Sequence, residues 1–237
     1  MSDTKKNHPL SGEMKAHDCQ LVKGDDVLPL GSRIFALIGP KGSGKSSIVL
    51  SLLTSKKSPF RNYFNNILLV SPTAKYDDKM KPLQEEVQEE GHYWEHLTEA
   101  TAEEVTEALH DLNDSYTGKK KIQNLLILDD VTHSFPTGRK PSKISSLFTN
   151  SRHLKTSIWV ITHKYTSMPT IFRNQLDCLF IFRTNSKQEI ESLKRDINCD
   201  EDLLEENLKK ATEEDHSFLF INLVGGKTRM YKRFDDI

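Results

Sequence analysis

An α/β fold with a mostly parallel central sheet is what this sequence predicts, and three observations carry the expectation. Short apolar runs at 34–38, 66–71, 124–130, 157–162 and 178–182 are continuous rather than alternating, the pattern of strands buried on both faces. Helix-periodic, polar stretches separate them, and strands that alternate with helices make parallel sheets covered on both sides. The 237 residues, 36% hydrophobic and 28% charged, suffice for one sizeable α/β core and fall short of two. We therefore divide the chain into a polar N-terminal tail, 1–28, without periodicity, and a single domain, 29–237.

In chain order, Ile34-Phe35-Ala36-Leu37-Ile38 breaks at Gly39-Pro40. After Lys45, apolar Ile48, Val49, Leu52 and Leu53 recur as on a helix lying against a sheet. The run 66–71 is stopped by Pro72, which cannot donate to a ladder. Residues 73–121 are rich in Asp, Glu, Lys and Gln and read as peripheral helices joined by solvated loops, with a Glu-rich patch at 85–90. Within them Thr101-Ala102-Glu103-Glu104 resembles a capping box leading into Val105, Ala108, Leu109 and Leu112 on one helical face. Further helices are expected at about 143–154 and 186–196. The stretch 216–224, then Gly225-Gly226, then 227–234 reads as an antiparallel hairpin with a two-residue turn, added to the sheet edge. Trp159, Phe180 and Phe182 fall at strand positions and read as core. Tyr93-Trp94 fits a surface pair and an interface equally well.

Composition excludes several classes. A net charge of −1 gives no global basic field toward nucleic acid, so any such contact must come from local patches or from loops repeated across subunits. No apolar run approaches the ~20 residues of a membrane span, and the N-terminus lacks the apolar core of a secretory signal. An intracellular protein without membrane contact is expected. Cys19, Cys178 and Cys199 are too scattered for a disulfide framework or a zinc site, and we read them as reduced.

The sharpest motif is Gly39-Pro40-Lys41-Gly42-Ser43-Gly44-Lys45-Ser46, which matches G-x-x-x-x-G-K-[ST] in full. Glycines let backbone N–H groups curl around phosphates, and the following helix presents its positive end to them. Lys45 would bridge β- and γ-phosphate oxygens and the Ser46 hydroxyl would bind Mg²⁺. With Ser47 next in line, residues 39–47 are the expected nucleotide-binding set. A second carboxylate is needed at the carboxyl edge of the sheet, and Asp129, ending an apolar strand, is where a parallel sheet would deliver it. Asp130 follows and would orient or deprotonate the attacking water, although an Asp-Asp pair also serves as a plain turn or helix cap. One strand separates the P-loop from Asp129, and another, ending in Thr162-His163, comes after it. That order fits a RecA-like P-loop NTPase with an extra strand between the two nucleotide-binding strands, the polar strand end reaching the γ-phosphate.

The segments NLLILDDV and LFTNSRHLKTSIWVITHKYTSMPTIFRNQLDCLFIFR, with the P-loop ending GSGKS, resemble the viral genome-packaging ATPases of the FtsK–HerA superfamily. The similarity is to the poxvirus-type branch of large DNA viruses and virophages. Five elements occur in one order across about residues 33–235: the P-loop, two acids ending a strand, the Arg152-His153 pair, Thr162-His163, and a proline followed by I-x-R-N. The resemblance implies an ATP- and Mg²⁺-dependent motor that translocates double-stranded DNA into a capsid, working as a homo-oligomeric ring with capsid or portal-vertex proteins as partners. It places the protein in the host cytoplasm or viral factory, with association to the virion. By match, Lys45 and Ser46 are Walker A residues, Asp129 and Asp130 the Walker B pair, and His163 stands at a sensor position where relatives often carry glutamine. A neutral histidine can still donate one hydrogen bond and accept one.

Arg152 and Arg173 compete for a finger inserted into a neighbour's site, and Arg152, just ahead of the sensor strand, is favoured. Solvated or capping arginines are the plain alternative for both. The loop 132–143, with Arg139, Lys140 and Lys143, either lines a DNA pore or is an ordinary basic loop. Two other functions use the same P-loop, a nucleotide or small-molecule kinase and a low-turnover NTP-binding regulator.

Overall fold

The computed structural model describes residues 27–119, 121–138 and 141–237. Cys19 and most of the polar tail expected over 1–28 lie outside them, whereas Leu28 is already buried in the core. Among the described residues nine strands form one sheet: β1 (Ile34–Ile38), β2 (Asn66–Val70), β3 (Tyr93–Trp94), β4 (Asn124–Asp129), β5 (Thr156–Thr162), β6 (Cys178–Phe182), β7 (Phe218–Asn222), β8 (Arg229–Lys232) and β9 (Asp235–Asp236). Their order is β3-β2-β4-β5-β1-β6-β7-β8-β9. Pairings from β3 to β6 are parallel and those from β6 to β9 antiparallel. The predicted α/β class, with its inserted strand between the P-loop strand and the aspartate strand, is what the chain adopts.

Alternation along each strand sends side chains to two faces. Phe35 and Leu37 of β1 join Trp159, Phe180, Phe60 and Phe64 on the face covered by α1 (Lys45–Thr54). There Phe35 and Trp159 stack with ring centroids 5.7 Å apart, and Phe60 meets Trp159 edge-on at 5.4 Å. Ile34, Ala36 and Ile38 face the other way. That second face is covered by α3 (Glu99–Asp114), α4 (Lys143–Thr149), α6 (Lys187–Asp196) and α7 (Glu201–Ala211). Trp159, Phe180 and Phe182 are core, as their strand positions predict. Among the described residues no helix is long and apolar enough to cross a membrane.

Several boundaries differ from the sequence expectation. Helix α3 starts a turn before Thr101: Thr98 is the extended N-cap residue, its hydroxyl accepting from the Thr101 amide at 3.0 Å, with Glu99 favourably placed at the helix's positive end. Helix α4 stops at Thr149 rather than near 154, and the chain turns through Lys155, at φ 51°, into β5. The hairpin turn is longer than two residues, because β7 ends at Asn222, whose side-chain oxygen accepts from the Val224 amide at 2.9 Å before both left-handed glycines, Gly225 and Gly226. Tyr93 and Trp94 form the short edge strand β3. The Glu-rich patch lies on α2 (Lys81–Glu89).

Arg173 ends α5 (Thr170–Arg173) and points inward: its Nη1 lies 2.9 Å from Asp196 Oδ2, with the two side chains 7% and 9% exposed. Its guanidinium also covers the Tyr165 ring, 4.8 Å from the centroid. Removing Arg173 leaves the Asp196 carboxylate to the exposed Arg195, whose Nε lies 3.3 Å from Asp196 Oδ1. Arg173→Ala is expected to lower unfolding free energy by about 3 kcal/mol, read as a lower urea midpoint at unchanged slope.

Candidate nucleotide-binding site

The P-loop leaves the carboxyl end of β1 and is tied to β5 by the Gly39 amide donating to the Thr162 carbonyl at 3.1 Å. A Cβ on Gly39 would lie 2.6 Å from Phe182 Cβ and 2.7 Å from Ser43 Oγ, so no larger residue fits beneath the loop. Gly44, at φ 110°, makes the left-handed turn that starts α1. Lys45 is buried, and its Nζ donates to the carbonyls of Gly39 at 2.7 Å and Pro40 at 3.0 Å. Burial lowers the lysine's pKa, opposed by the negative charges of Asp129, Asp130 and Asp77. Ser43 Oγ is buried without a hydrogen-bond partner among the described residues. Glycine-freed amides, a helix N-terminus and a lysine at one point are the chemistry of a polyphosphate cradle.

Asp129 ends β4, as predicted, and its Oδ2 accepts from Ser71 Oγ at 2.7 Å and Thr73 Oγ1 at 3.3 Å. Burial pushes its pKa up, with Asp130 and Asp77 adding to the rise and the two hydroxyls opposing it. Asp130 sits in the left-handed region at φ 54°, its amide donating to the Ile161 carbonyl at 3.0 Å. His163 Nε2 stands 3.7 Å from Asp130 Oδ1. Thr162 does not face the cleft as a free polar group, since its hydroxyl is within 3.2 Å of Thr132 Oγ1 and 2.9 Å of Ser167 Oγ.

These groups enclose a cleft of about 610 Å³, lined among others by Lys45, Ser46, Asp77, Asp129, Asp130 and His163, with Lys41, Gly42 and Ser47 also on its wall. Asp77, Ser71 and Thr73 were not anticipated. Ser71 and Thr73 were legible in principle as hydroxyls just past the end of a buried parallel strand, whereas no spacing rule marks Asp77. The oxygen donors of Ser46, Asp129 and Asp77 suit a hard cation, and among the described residues no three His, Cys, Asp or Glu side chains form a cage of their own. Oxygen donors of this kind fit Mg²⁺, which takes one or two carboxylates and completes its shell with phosphates and water.

Other predicted residues are not brought to this cleft. Arg152 lies ahead of β5, whose seven residues span roughly 20 Å of sheet at ~3.3 Å per residue, so it sits toward the opposite edge. It is exposed and forms no ion pair among the described residues. Arg173 is the internal strut already described. Lys143 is committed to α3: its Nζ lies 2.7 Å from Glu103 Oε1 and its amide donates to Glu99 Oε2 at 2.6 Å. Arg139 and Lys140 lie outside the described residues.

A raised folded-state pKa means the ionised Asp129 costs stability at pH values above the ordinary carboxylate range, and the cost disappears as pH falls and the group protonates. Asp129→Asn removes that charge while keeping an acceptor for Ser71 and Thr73. In ligand-free protein at neutral pH its Tm is expected to rise, by about 2–4 °C for each kcal/mol relieved. The gain should shrink toward pH 4, a trend calorimetry across pH would reveal.

Comparison with known proteins gives a family match and solved structures of similar fold. The family model described as "Poxvirus A32 protein" matches residues 30–221. Comparison with curated protein sequences yields no match. Among solved structures, the fold is similar to the genome packaging NTPase B204 from Sulfolobus turreted icosahedral virus 2 in complex with AMP. The TM-score is 0.62 at 16% identity, over 87% of this chain and 98% of that one. The same protein in complex with AMPPCP gives 0.61 at 17% identity over the same shares, 87% and 98%. B204, the DNA-packaging ATPase from Sulfolobus Turreted Icosahedral Virus, gives 0.61 at 16% identity, over 86% of this chain and 98% of that one.

Proposed function

This chain belongs to the Poxvirus A32 protein family, and we propose that it is an ATP-hydrolysing motor that translocates double-stranded DNA into a viral capsid. The observation that carries the proposal is the convergence of the P-loop, Asp129, Asp130 and His163 on one cleft at the carboxyl edge of the sheet. The similar solved structures are described as genome packaging NTPases, one of them in complex with a nucleotide analogue, which supports the same reading.

In this mechanism Lys45 exchanges its carbonyl partners for β- and γ-phosphate oxygens, and the loop amides with the N-terminus of α1 take the remaining phosphate charge. Ser46 and Asp129 would hold Mg²⁺, which would supply charge neutralisation on the phosphates. Asp130 accepts the proton of the attacking water, and His163, whose Nε2 stands 3.7 Å from Asp130 Oδ1, uses its one N–H toward the γ-phosphate.

Arg152 cannot reach its own cleft, so its role falls in a neighbouring subunit of a homo-oligomeric ring. An arginine brought to the transferring phosphoryl group contributes on the order of 10³–10⁵ in turnover. The partners are double-stranded DNA, further copies of this chain and proteins of the capsid or portal vertex. The protein works in the host cytoplasm or viral factory, in association with the assembling virion.

ATP hydrolysis measured with and without double-stranded DNA, on protein of known oligomeric state, tests the motor. DNA-stimulated turnover confined to the ring is expected; turnover that requires a small phosphoryl acceptor would refute it. Arg152→Ala is expected to keep nucleotide affinity and assembly within about twofold while hydrolysis falls at least about 10³-fold. Wild-type turnover in that variant would remove Arg152 from the mechanism.

A further inference from the structure

Three features lie outside the mechanism so far: a cavity of about 300 Å³ between the start of the P-loop and α6, the contact of His216 Nδ1 with the Ser43 carbonyl at 3.2 Å, and the connection between β2 and α2. The last is the most informative, because its side chains reach both expected magnesium ligands. Ser71 and Thr73 bond Asp129. Further on, Asp77 Oδ2 accepts from Ser46 Oγ at 2.8 Å. The other oxygen of Asp77 accepts from the Lys79 amide at 3.0 Å, and the Asp77 amide donates to the Ala74 carbonyl at 3.2 Å, so the carboxylate is oriented by its own turn. Lys79 Nζ then bonds Ser47 Oγ at 2.6 Å, pinning the segment to the first turn of α1.

We propose that Asp77 is a positioning residue that orients the Ser46 hydroxyl toward Mg²⁺, within a segment, 71–79, that sets both protein ligands of the ion. The inference rests on the nucleotide site proposed above. A serine hydroxyl carries one proton and two lone pairs. With the proton committed to Asp77, both lone pairs stay open to a cation. In many sites of this kind the aspartate ending the β4-type strand would take that proton, but here Asp129 Oδ2 already receives two hydroxyls. Asp77 fills the role instead, and adds a negative charge beside the ion.

The test is the binding of a fluorescent ATP analogue in Mg²⁺ and in excess EDTA, together with Mn²⁺ binding followed by paramagnetic resonance in the presence of unlabelled ATP. For Asp77→Ala the Mg²⁺-dependent gain in affinity is expected to fall about 10-fold or more, as does the Mn²⁺ affinity, the size seen when a residue that orients a metal ligand is lost. Affinity in EDTA should stay within about twofold. Should that variant fail to fold, Asp77→Asn carries the same expectation: its single oxygen stays with the Lys79 amide, and its NH₂ turns toward Ser46 and occupies a lone pair. A Mg²⁺-dependent gain that survives in the variant would overturn the proposal, as would equal losses in Mg²⁺ and EDTA, which mark a purely structural role. Wild-type protein that bound no analogue would overturn the nucleotide reading along with it.

Discussion

The site depends on β5 being held between β1 and β4. Its ladder pairs Ile38 with Thr162 on one side and Asp129 with Ile161 on the other. Those registers align three strand ends at one height, so the loop after β1, the acid pair after β4 and His163 after β5 emerge side by side. At the carboxyl edge of a parallel sheet the segments leaving adjacent strands converge with their backbone groups still partly unpaired. The two hydrogen bonds that cross the seam, from the Gly39 amide to Thr162 and from the Asp130 amide to Ile161, make the loop and the acid pair geometrically dependent on the same strand. A one-residue slip of β5 would turn Trp159 out of its aromatic cluster and Val160 into it, so the burial of the tryptophan fixes the alignment of the site.

Charge then follows from position. The edge gathers Asp77, Asp129 and Asp130 around a lysine whose burial already disfavours its charge. Like charges raise the pKa of Asp129 further. Such an arrangement is poor for the stability of the ligand-free chain and favourable for taking up a divalent cation together with a polyanion. The hydroxyls of Ser71 and Thr73 moderate the penalty without neutralising the carboxylate. This is the usual direction of the trade between stability and function, here traceable to individual oxygen atoms.

Much of this was legible in the sequence because it is local. Strand existence, the P-loop, the Asp129-Asp130 pair and the strand ending in Thr162-His163 rest on runs of five or six apolar residues and on fixed spacings, and the structure keeps these elements in place. What could not be read was tertiary. The segment 73–79 looked peripheral because its residues are polar and follow a proline; its meaning comes from folding across the edge to α1. The start of α3 was misplaced since Thr98 and Thr101 both offer a capping hydroxyl, and only the extended backbone of Thr98 decides between them. Arg173 looked like a finger candidate because sequence does not show Asp196 beneath it.

The two arginines show how burial sorts residues that composition leaves equal. A group that stabilises a transition state in another subunit must keep its donors free and lie where a neighbour can meet it. Arg173 meets neither condition, being desolvated, paired and stacked on Tyr165. Its partner helix α6 also holds the turn after His163, because Glu189 accepts from the amides of Tyr165 and Thr166 and from the Thr166 hydroxyl. Arg173 and Glu189 together brace the turn after His163 against α6, so their contribution to the site is rigidity. Arg152 meets the first condition, and its place toward the far edge of the sheet makes the second a matter of assembly. Under the proposed mechanism, a chain with its own cradle and acids but an arginine some 20 Å away would leave its site incomplete in one subunit and tie hydrolysis to the contact between subunits.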